Sequence, residues 1–276
     1  MPIEQWVHLN RVSAFEDPAL RGYVSPFPPR GLMQNVSGLQ VERDFASHGA
    51  DFFLALSKIA PKPLTAFRSI LDFGCGCGRL ARMFKGYAGR YAGCDVDARH
   101  IEWMRQSLGF VEARRSATRP PIPYEAGEFE AVISISIFTH LNEKSQDEFL
   151  GELSRVVSDD GVLFLTVHGE RALQRAVDEP TIRSMISVPD KAFETARQQF
   201  QAGQLAFILQ QGHLTTGSPN NILDATQEPF EYGITFTPES YIRNHWSRWF
   251  DIVGLHSGAL HDFQDVVVLR NKAGAF

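Results

Sequence analysis

The stretch LDFGCGCGRL, residues 71–80, places three glycines and two cysteines in the five positions 74–78. Four chemistries compete for such a stretch. A zinc site needs a second ligand pair at a suitable spacing, and Cys75 and Cys77 have none. A disulfide between residues two apart is strained. A phosphate loop must end in Gly-Lys-Ser/Thr, whereas Gly78 is followed by Arg79 and Leu80. The dinucleotide fingerprint G-x-G-x-x-G requires glycine where Arg79 stands. What survives is D-x-G-x-G-x-G, Asp72 to Gly78, between a strand and a helix. Alternating glycines remove side chains where a ligand must approach the backbone. A second acid, Asp95, ends the next predicted strand, and a carboxylate there accepts from both hydroxyls of a ribose.

These residues need a scaffold that brings strand ends together. The spacing predicts strands at 69–73, 90–95, 109–113, 130–136 and 162–167. Helices are predicted at 79–85, at 98–108 with Asp97 as cap, and at 143–157 with Asn142 as cap. A further helix, 40–59, precedes them, with Phe45, Phe52, Phe53, Leu56 and Ile59 on one side. Alternating strands and helices imply an α/β, doubly wound, mainly parallel sheet of seven strands, Rossmann-like. The last two strands, 250–256 and 265–271, are joined by too few residues for a parallel crossover, so the last strand is antiparallel. The chain is then organised as an N-terminal arm (1–39), a cofactor-binding part of the core (40–167), a lid-like insertion (168–236) and the end of the core (237–276). The arm is expected to be irregular, because Pro26, Pro28 and Pro29 forbid a continuous helix. Within the insertion, helices are expected at about 170–177 and 190–210. Its apolar residues look too few for a core of its own. Thr237 is expected to cap a helix that starts at Pro238.

Composition narrows the function. The 276 residues carry a net charge of −5, with 43% hydrophobic and 21% charged residues. No basic field argues for nucleic acid. No apolar run approaches the roughly 18 residues of a membrane span. The start lacks a charged-then-apolar signal pattern, and three cysteines make no disulfide framework, so a cytoplasmic home is expected. No carboxylate cluster marks a metal site. The 21 Phe residues suggest a filled core and room for an apolar ligand.

ILDFGCGCGRL, YAGCDVD, PPIPYEAGEFEAVISISIFTHL and GVLFLTVHG resemble, in order, the successive motifs of class I S-adenosylmethionine-dependent methyltransferases. The likeness is strong over about 65–168 and weak over the terminal strand pair. It implies S-adenosylmethionine as cofactor. Gly74, Cys75 and Gly76 would line its methionine part, with Asp72 and Gly78 shaping the loop. Asp95 would hold the ribose and Val96 would lie against adenine. Ser116 and Ala117 fall where the family usually has an acid or amide for the adenine amine, and no acid stands there. Ser134, Ile135 and Ser136 would end the fourth strand beside the methionine. The cysteines then serve as small residues in a tight loop.

Methyl transfer to a hydroxyl requires removal of its proton. Ligands of an open parallel sheet gather at the carboxyl ends of its strands. That edge holds His140 after strand four and His168 after strand five, both candidate general bases. The antiparallel last strand brings His261, Asp262, Gln264 and Asp265 to the same side. Phe27, Leu32, Met33, Phe138, Phe230, Tyr232 and His261 are candidate walls of an acceptor pocket. The expected partner is a small-molecule acceptor, with oxygen favoured as the methylated atom, on a natural product or a sugar-linked compound. Oligomeric state has no signature. The rivals are a protein or RNA methyltransferase and a cofactor-binding interaction protein without transferase activity. A nicotinamide oxidoreductase is a third rival, which fails at Arg79; in calorimetry S-adenosylmethionine and S-adenosylhomocysteine are expected to bind and NADH is not. Binding without methyl transfer to any acceptor would favour the interaction protein.

Overall fold

Three glycines in succession lie in the left-handed region, Gly74, Gly76 and Gly78 at φ 75°, 53° and 81°. Side-chain-bearing residues avoid this region, so the alternation seen in the sequence is a backbone requirement. It turns the chain off β1 (Ser69–Phe73) in a computed structural model that describes residues 1–210, 226 and 230–272. The other strands are β2 (Arg90–Asp95), β3 (Val111–Arg115), β4 (Phe129–Ser134), β5 (Val157–Val167), β6 (Ala206–Leu209), β7 (Gly233–Phe236), β8 (Phe250–Leu260) and β9 (Gln264–Asn271). Seven of them form one sheet in the order β3-β2-β1-β4-β5-β9-β8, and β6 pairs with β7 in a second, small sheet. The architecture is the expected Rossmann-like one, with β9 antiparallel to both β5 and β8. The chain divides into two compact units, Met1–Ser116 and Ala117–Phe276. That division falls inside the stretch 40–167.

In the first unit β1, β2 and β3 pair in parallel, with Asp72 opposite Gly93 and Cys94 opposite Arg114. The helix Glu42–Ile59 buries Phe45, Phe52, Phe53 and Leu56, as its spacing predicts. It carries Gly49 where a Cβ would lie 2.3 Å from the Arg79 carbonyl oxygen, so helix and loop approach backbone to backbone. Asp97 caps the helix Ala98–Ser107 by accepting from the Arg99 N–H at 2.9 Å. The helix expected at 79–85 is reduced to the 3-10 turn Ala81–Phe84. Gly78 and Gly86, both left-handed, bracket too few residues for a stable α-helix.

The arm departs most from expectation. It contains the helices Ile3–His8 and Arg30–Ser37, a π-turn at Leu9–Ser13 and a 3-10 turn at Pro18–Tyr23. The prolines do break it, between 24 and 29, but helices form on either side. Asp17 caps one turn by accepting from the Ala19 N–H, and Gly38 at φ 71° ends the last helix. Trp6 Nε1 donates to the Met83 carbonyl at 2.8 Å, and the Phe27 ring lies between the Arg82 and Arg21 guanidinium groups at 3.6 and 4.4 Å. The arm is thereby part of the first unit's packing.

In the second unit, Asn142 caps the helix Glu143–Val156, accepting from the Ser145 N–H at 2.8 Å. β5 begins at Val157, ahead of the strand expected at 162–167, and runs through Asp159 and Asp160; Asp160 takes φ 59° within it. The region 168–236 holds the helices Glu170–Asp178, Pro180–Ile186 and Asp190–Gln201, then β6 and β7. The single helix expected over 190–210 ends at Gln201 because Gly203 turns left-handed at φ 74°, which frees 206–209 to form β6. The region also has the core judged absent from its composition. Leu173, Ile186, Phe193, Phe200, Ile208 and Phe236 bury one another. Enough of its apolar residues are placed inward to form this cluster, although Val177, Met185 and Leu209 are exposed, so the count misled. Thr237, expected to cap, has a buried hydroxyl without a partner, and its N–H donates to the His168 carbonyl at 2.8 Å. Most of the polar stretch 210–233 lies outside the described residues. The fully buried Phe236 ring is central to the second cluster. Phe236→Ala lowers the unfolding free energy by about 3–5 kcal/mol in urea titrations; a loss below about 1 kcal/mol would contradict this.

Candidate functional site

In the first unit, everything converges on Asp95 at the end of β2. Its Oδ2 accepts from the Gly76 N–H at 2.8 Å, and its Oδ1 accepts from the Asp97 N–H at 2.9 Å. The same strand end organises the loop through backbone bonds. Gly74 N and Cys75 N donate to the Cys94 carbonyl at 2.9 and 3.1 Å, and Ser116 N donates to the Asp95 carbonyl at 3.0 Å. An ionised carboxylate has about four lone-pair sites. Two backbone donors fix its orientation and leave the others for hydroxyl donors, so the residues present fit a ribose diol.

The loop's side chains serve packing. Cys75, Cys77 and Cys94 are free and buried. Burial holds the Cys75 thiol well above its ordinary range and pushes Cys77 up to about 12, so neither is a thiolate at neutral pH. Cys75 Sγ lies 3.6 Å from Met104 Sδ, and a Cβ on Gly93 would come within 3.0 Å of that cysteine. Among the described residues no group of three His, Cys, Asp or Glu side chains is arranged to hold a metal ion. Val36, from the helix Arg30–Ser37, covers Gly76, where a Cβ would lie 2.7 Å from Val36 Cγ2. Val96 is half-buried, Ser116 is buried and Ala117, which opens the second unit, is exposed.

Below the loop, Asp72 is buried and accepts from the Tyr91 hydroxyl at 2.9 Å. Burial raises its carboxyl to about 7, against the lowering effects of Tyr91 and Arg79. Arg79, itself buried and lowered to about 10, contacts His48 Nδ1 at 2.9 Å and lies over the Phe52 ring at 4.6 Å.

In the second unit, β4 ends at Ser134, fully buried, followed by buried Ile135 and by Ser136 at φ 60°. A serine in this region is strained, and such strain gathers at functional sites. Ser136 N donates to Thr166 Oγ1 at 2.7 Å, and its hydroxyl exchanges hydrogen bonds with the Gln264 amide at 2.9 and 3.1 Å. His140 Nδ1 lies 2.7 Å from the Gly233 carbonyl, and its ring stacks on Tyr232 at 4.5 Å and 15°. The His168 ring lies 6.4 Å from that of His140, 5.0 Å from Phe263 and 5.8 Å from Phe236. His168 is buried, its Nδ1 has no hydrogen-bond partner, and burial together with nearby His140 lowers it to about 3.

His140, His168 and Tyr232 thus form one cluster. Phe230 adjoins it, its ring 6.3 Å from that of Tyr232. His261 is exposed at the β8–β9 turn, with its carbonyl accepting from Arg175 at 3.2 Å. Phe138 is fully buried with its ring 5.5 Å from Trp246, and Met33 packs with Phe45 and Cys77. Both fill core positions, because the chain around them turns inward. Asp265 is also buried, accepts from the Gly258 N–H at 2.8 Å and is raised to about 6 by burial. Sequence reasoning overlooked Thr166, which lies within GVLFLTVHG but was given no role, Gly233, Phe236 and Phe263, which no motif marks, and His100, a histidine on the apolar side of its helix.

Asp72 carries a pH signature. Its folded value of about 7 exceeds the ordinary 3.8, so the neutral carboxyl's stabilisation is complete below 3.8 and is lost as pH rises through about 7. Asp72→Asn keeps an uncharged side chain. Between pH 5 and pH 8 the wild-type urea midpoint falls relative to that of Asp72→Asn; parallel curves would refute the assignment.

Residues 70–161 match the family model of the methyltransferase domain. The curated relatives include sphingolipid C9-methyltransferase 2 of Gibberella zeae, 29% identical over 115 residues, which are 39% of this chain and 22% of that protein. Sphingolipid C9-methyltransferase A of Emericella nidulans is 25% identical over 113 residues, 37% of this chain and 21% of the relative. The chain spans about a fifth of the length of these relatives. Among solved structures, the PH0226 protein of Pyrococcus horikoshii OT3 superposes with a TM-score of 0.57 at 15% identity, covering 83% of this chain and 92% of that one. A structure described under the conversion of a disulfide bond into a thioacetal group during echinomycin biosynthesis reaches 0.52 at 12% identity, covering 81% and 82%. The glycine loop, the strand-end carboxylate and the sheet order accord with the match of residues 70–161 to the methyltransferase-domain model.

Proposed function

We propose that the protein transfers a methyl group from S-adenosylmethionine to a hydroxyl of a small-molecule or lipid acceptor, with His140 as general base. S-adenosylmethionine, when bound, supplies a methyl group on a sulfonium whose leaving group is a neutral thioether. Asp72, Gly74, Cys75, Gly76, Gly78, Asp95, Val96, Ser116, Ala117, Ser134, Ile135 and Ser136 are the residues proposed to hold it.

One observation carries the choice of His140. Its Nδ1 faces a carbonyl oxygen at 2.7 Å, and a carbonyl only accepts, so Nδ1 bears the proton. The lone pair is then on Nε2, and Tyr232 stacking holds the ring plane. A base with a fixed tautomer and a fixed ring suits proton removal from a hydroxyl. His168, lowered to about 3, is neutral throughout the physiological range and is a weak base. We assign it a hydrogen-bonding role through Nδ1, with Phe263 beside it and Tyr232 beside His140 as apolar walls.

The relatives' names support extending the acceptor class to lipids. Among the described residues no helix is long and apolar enough to cross a membrane. A lipid acceptor would meet apolar walls of the kind Tyr232 and Phe263 provide.

Acceptors are to be found by screening radiolabelled methyl transfer over hydroxylated small molecules and ceramide-type lipids. His140→Ala then lowers the single-turnover rate by about a hundredfold or more. A loss under tenfold would remove His140 as the base. His168→Ala raises KM more than it lowers kcat and leaves the pH profile's shape unchanged between pH 5 and 9; a profile displaced by that change would show that His168 titrates in turnover.

A further inference from the structure

His100 is the residue of the first unit whose polarity the fold leaves unexplained. It lies on the inward side of the helix Ala98–Ser107 with Ile101 and Met104, a face that otherwise takes apolar side chains. The residue is 6% exposed, yet neither ring nitrogen has a hydrogen-bond partner. An unpartnered buried polar atom lowers stability, and such atoms in folded proteins call for an explanation. An apolar residue of similar size would avoid that cost.

The surroundings supply the explanation. His100 Nδ1 lies 3.6 Å from Asp95 Oδ1, and Nε2 lies 3.8 Å from Asp97 Oδ2. Both distances exceed a hydrogen bond, so the imidazole stands between two carboxylates without being bonded to either. Each carboxylate has donors other than this ring. Asp95 holds the Gly76 and Asp97 N–H groups, and Asp97 holds the Arg99 N–H and guanidinium. Arg115 Nε reaches the Val96 carbonyl on the other side of this turn, at 3.4 Å. The ring is therefore held beside the carboxylate assigned to the ribose, with hydrogen-bonding capacity that the chain itself leaves unused.

We propose that His100 is a second ribose-side ligand of the cofactor, acting beside Asp95. The proposal rests on the assignment of Asp95 to the ribose and deepens it. An imidazole nitrogen both donates and accepts according to tautomer, so it suits a hydroxyl whose own proton is given to Asp95. It also gives the cofactor's nucleoside half a polar contact in a chain with no acid at Ser116–Ala117.

The test is a thermodynamic cycle by calorimetry, without turnover. Wild type, His100→Phe and His100→Gln are titrated with S-adenosylhomocysteine and with its 2′-deoxy and 3′-deoxy analogues. His100→Phe weakens S-adenosylhomocysteine about tenfold but leaves its affinity for one of the deoxy analogues near the wild-type value, because the lost bond is to the missing hydroxyl. His100→Gln recovers part of the loss. A Phe variant that binds S-adenosylhomocysteine within about twofold of wild type overturns the proposal. So does an equal loss for all three ligands, which is the mark of a purely structural residue. If the Phe variant does not fold, the wild-type imidazole ¹⁵N resonances decide. A His100 shift with S-adenosylhomocysteine that is absent with the 2′,3′-dideoxy analogue supports the contact, and equal shifts overturn it. Failure of the wild type to bind S-adenosylhomocysteine would overturn the ribose assignment itself, and His100 with it.

Discussion

A single carboxylate ties together the parts of the first unit that matter for chemistry. Asp95 accepts from Gly76 in the glycine loop and from Asp97 at the start of the next helix. Loop, strand end and helix start are thereby set by one side chain. The glycines permit this by taking left-handed conformations that place successive N–H groups against the end of β2. Charge-assisted hydrogen bonds to backbone donors are among the stronger ones in proteins. The same carboxylate retains acceptor capacity for ligand hydroxyls, so the group that organises the loop is also the one suited to the ribose.

The second unit uses different physics for a related end. Its cluster is largely aromatic, and its polar groups are restrained by neighbours that fix their state. The Gly233 carbonyl selects the tautomer of His140, burial keeps His168 neutral, and Thr166 with Gln264 holds Ser136 in a conformation its side chain disfavours. Fixed tautomers and fixed dipoles need no rearrangement during reaction, which is where much of an enzyme's advantage over water arises.

Legibility followed locality. The glycine loop, the acid ending β2, the Asp97 and Asn142 caps and the antiparallel β9 could be read because each depends on residues close in sequence. The arm was read as irregular because prolines at 26–29 dominate it, while its first helix is held by a distant partner, with Trp6 donating to the Met83 carbonyl, and Phe27 within the proline stretch lies under Arg82. The second core around Phe236 escaped because a count of apolar residues does not say which way they face. His100 escaped for the opposite reason. Its periodicity marks it as buried, and only the structure reveals that the buried ring lacks partners beside Asp95 and Asp97. Tyr232 was legible as an aromatic candidate, but its stacking on His140 depends on β7 returning past the end of β4.

The central claim is that Asp95 holds the cofactor's ribose. A crystal structure with S-adenosylhomocysteine bound tests it most directly. The account predicts ribose hydroxyls within about 2.5–3.0 Å of the Asp95 carboxylate, with the Gly76 and Asp97 N–H bonds retained. A ligand seated elsewhere, or a ribose with no contact to Asp95, would contradict it.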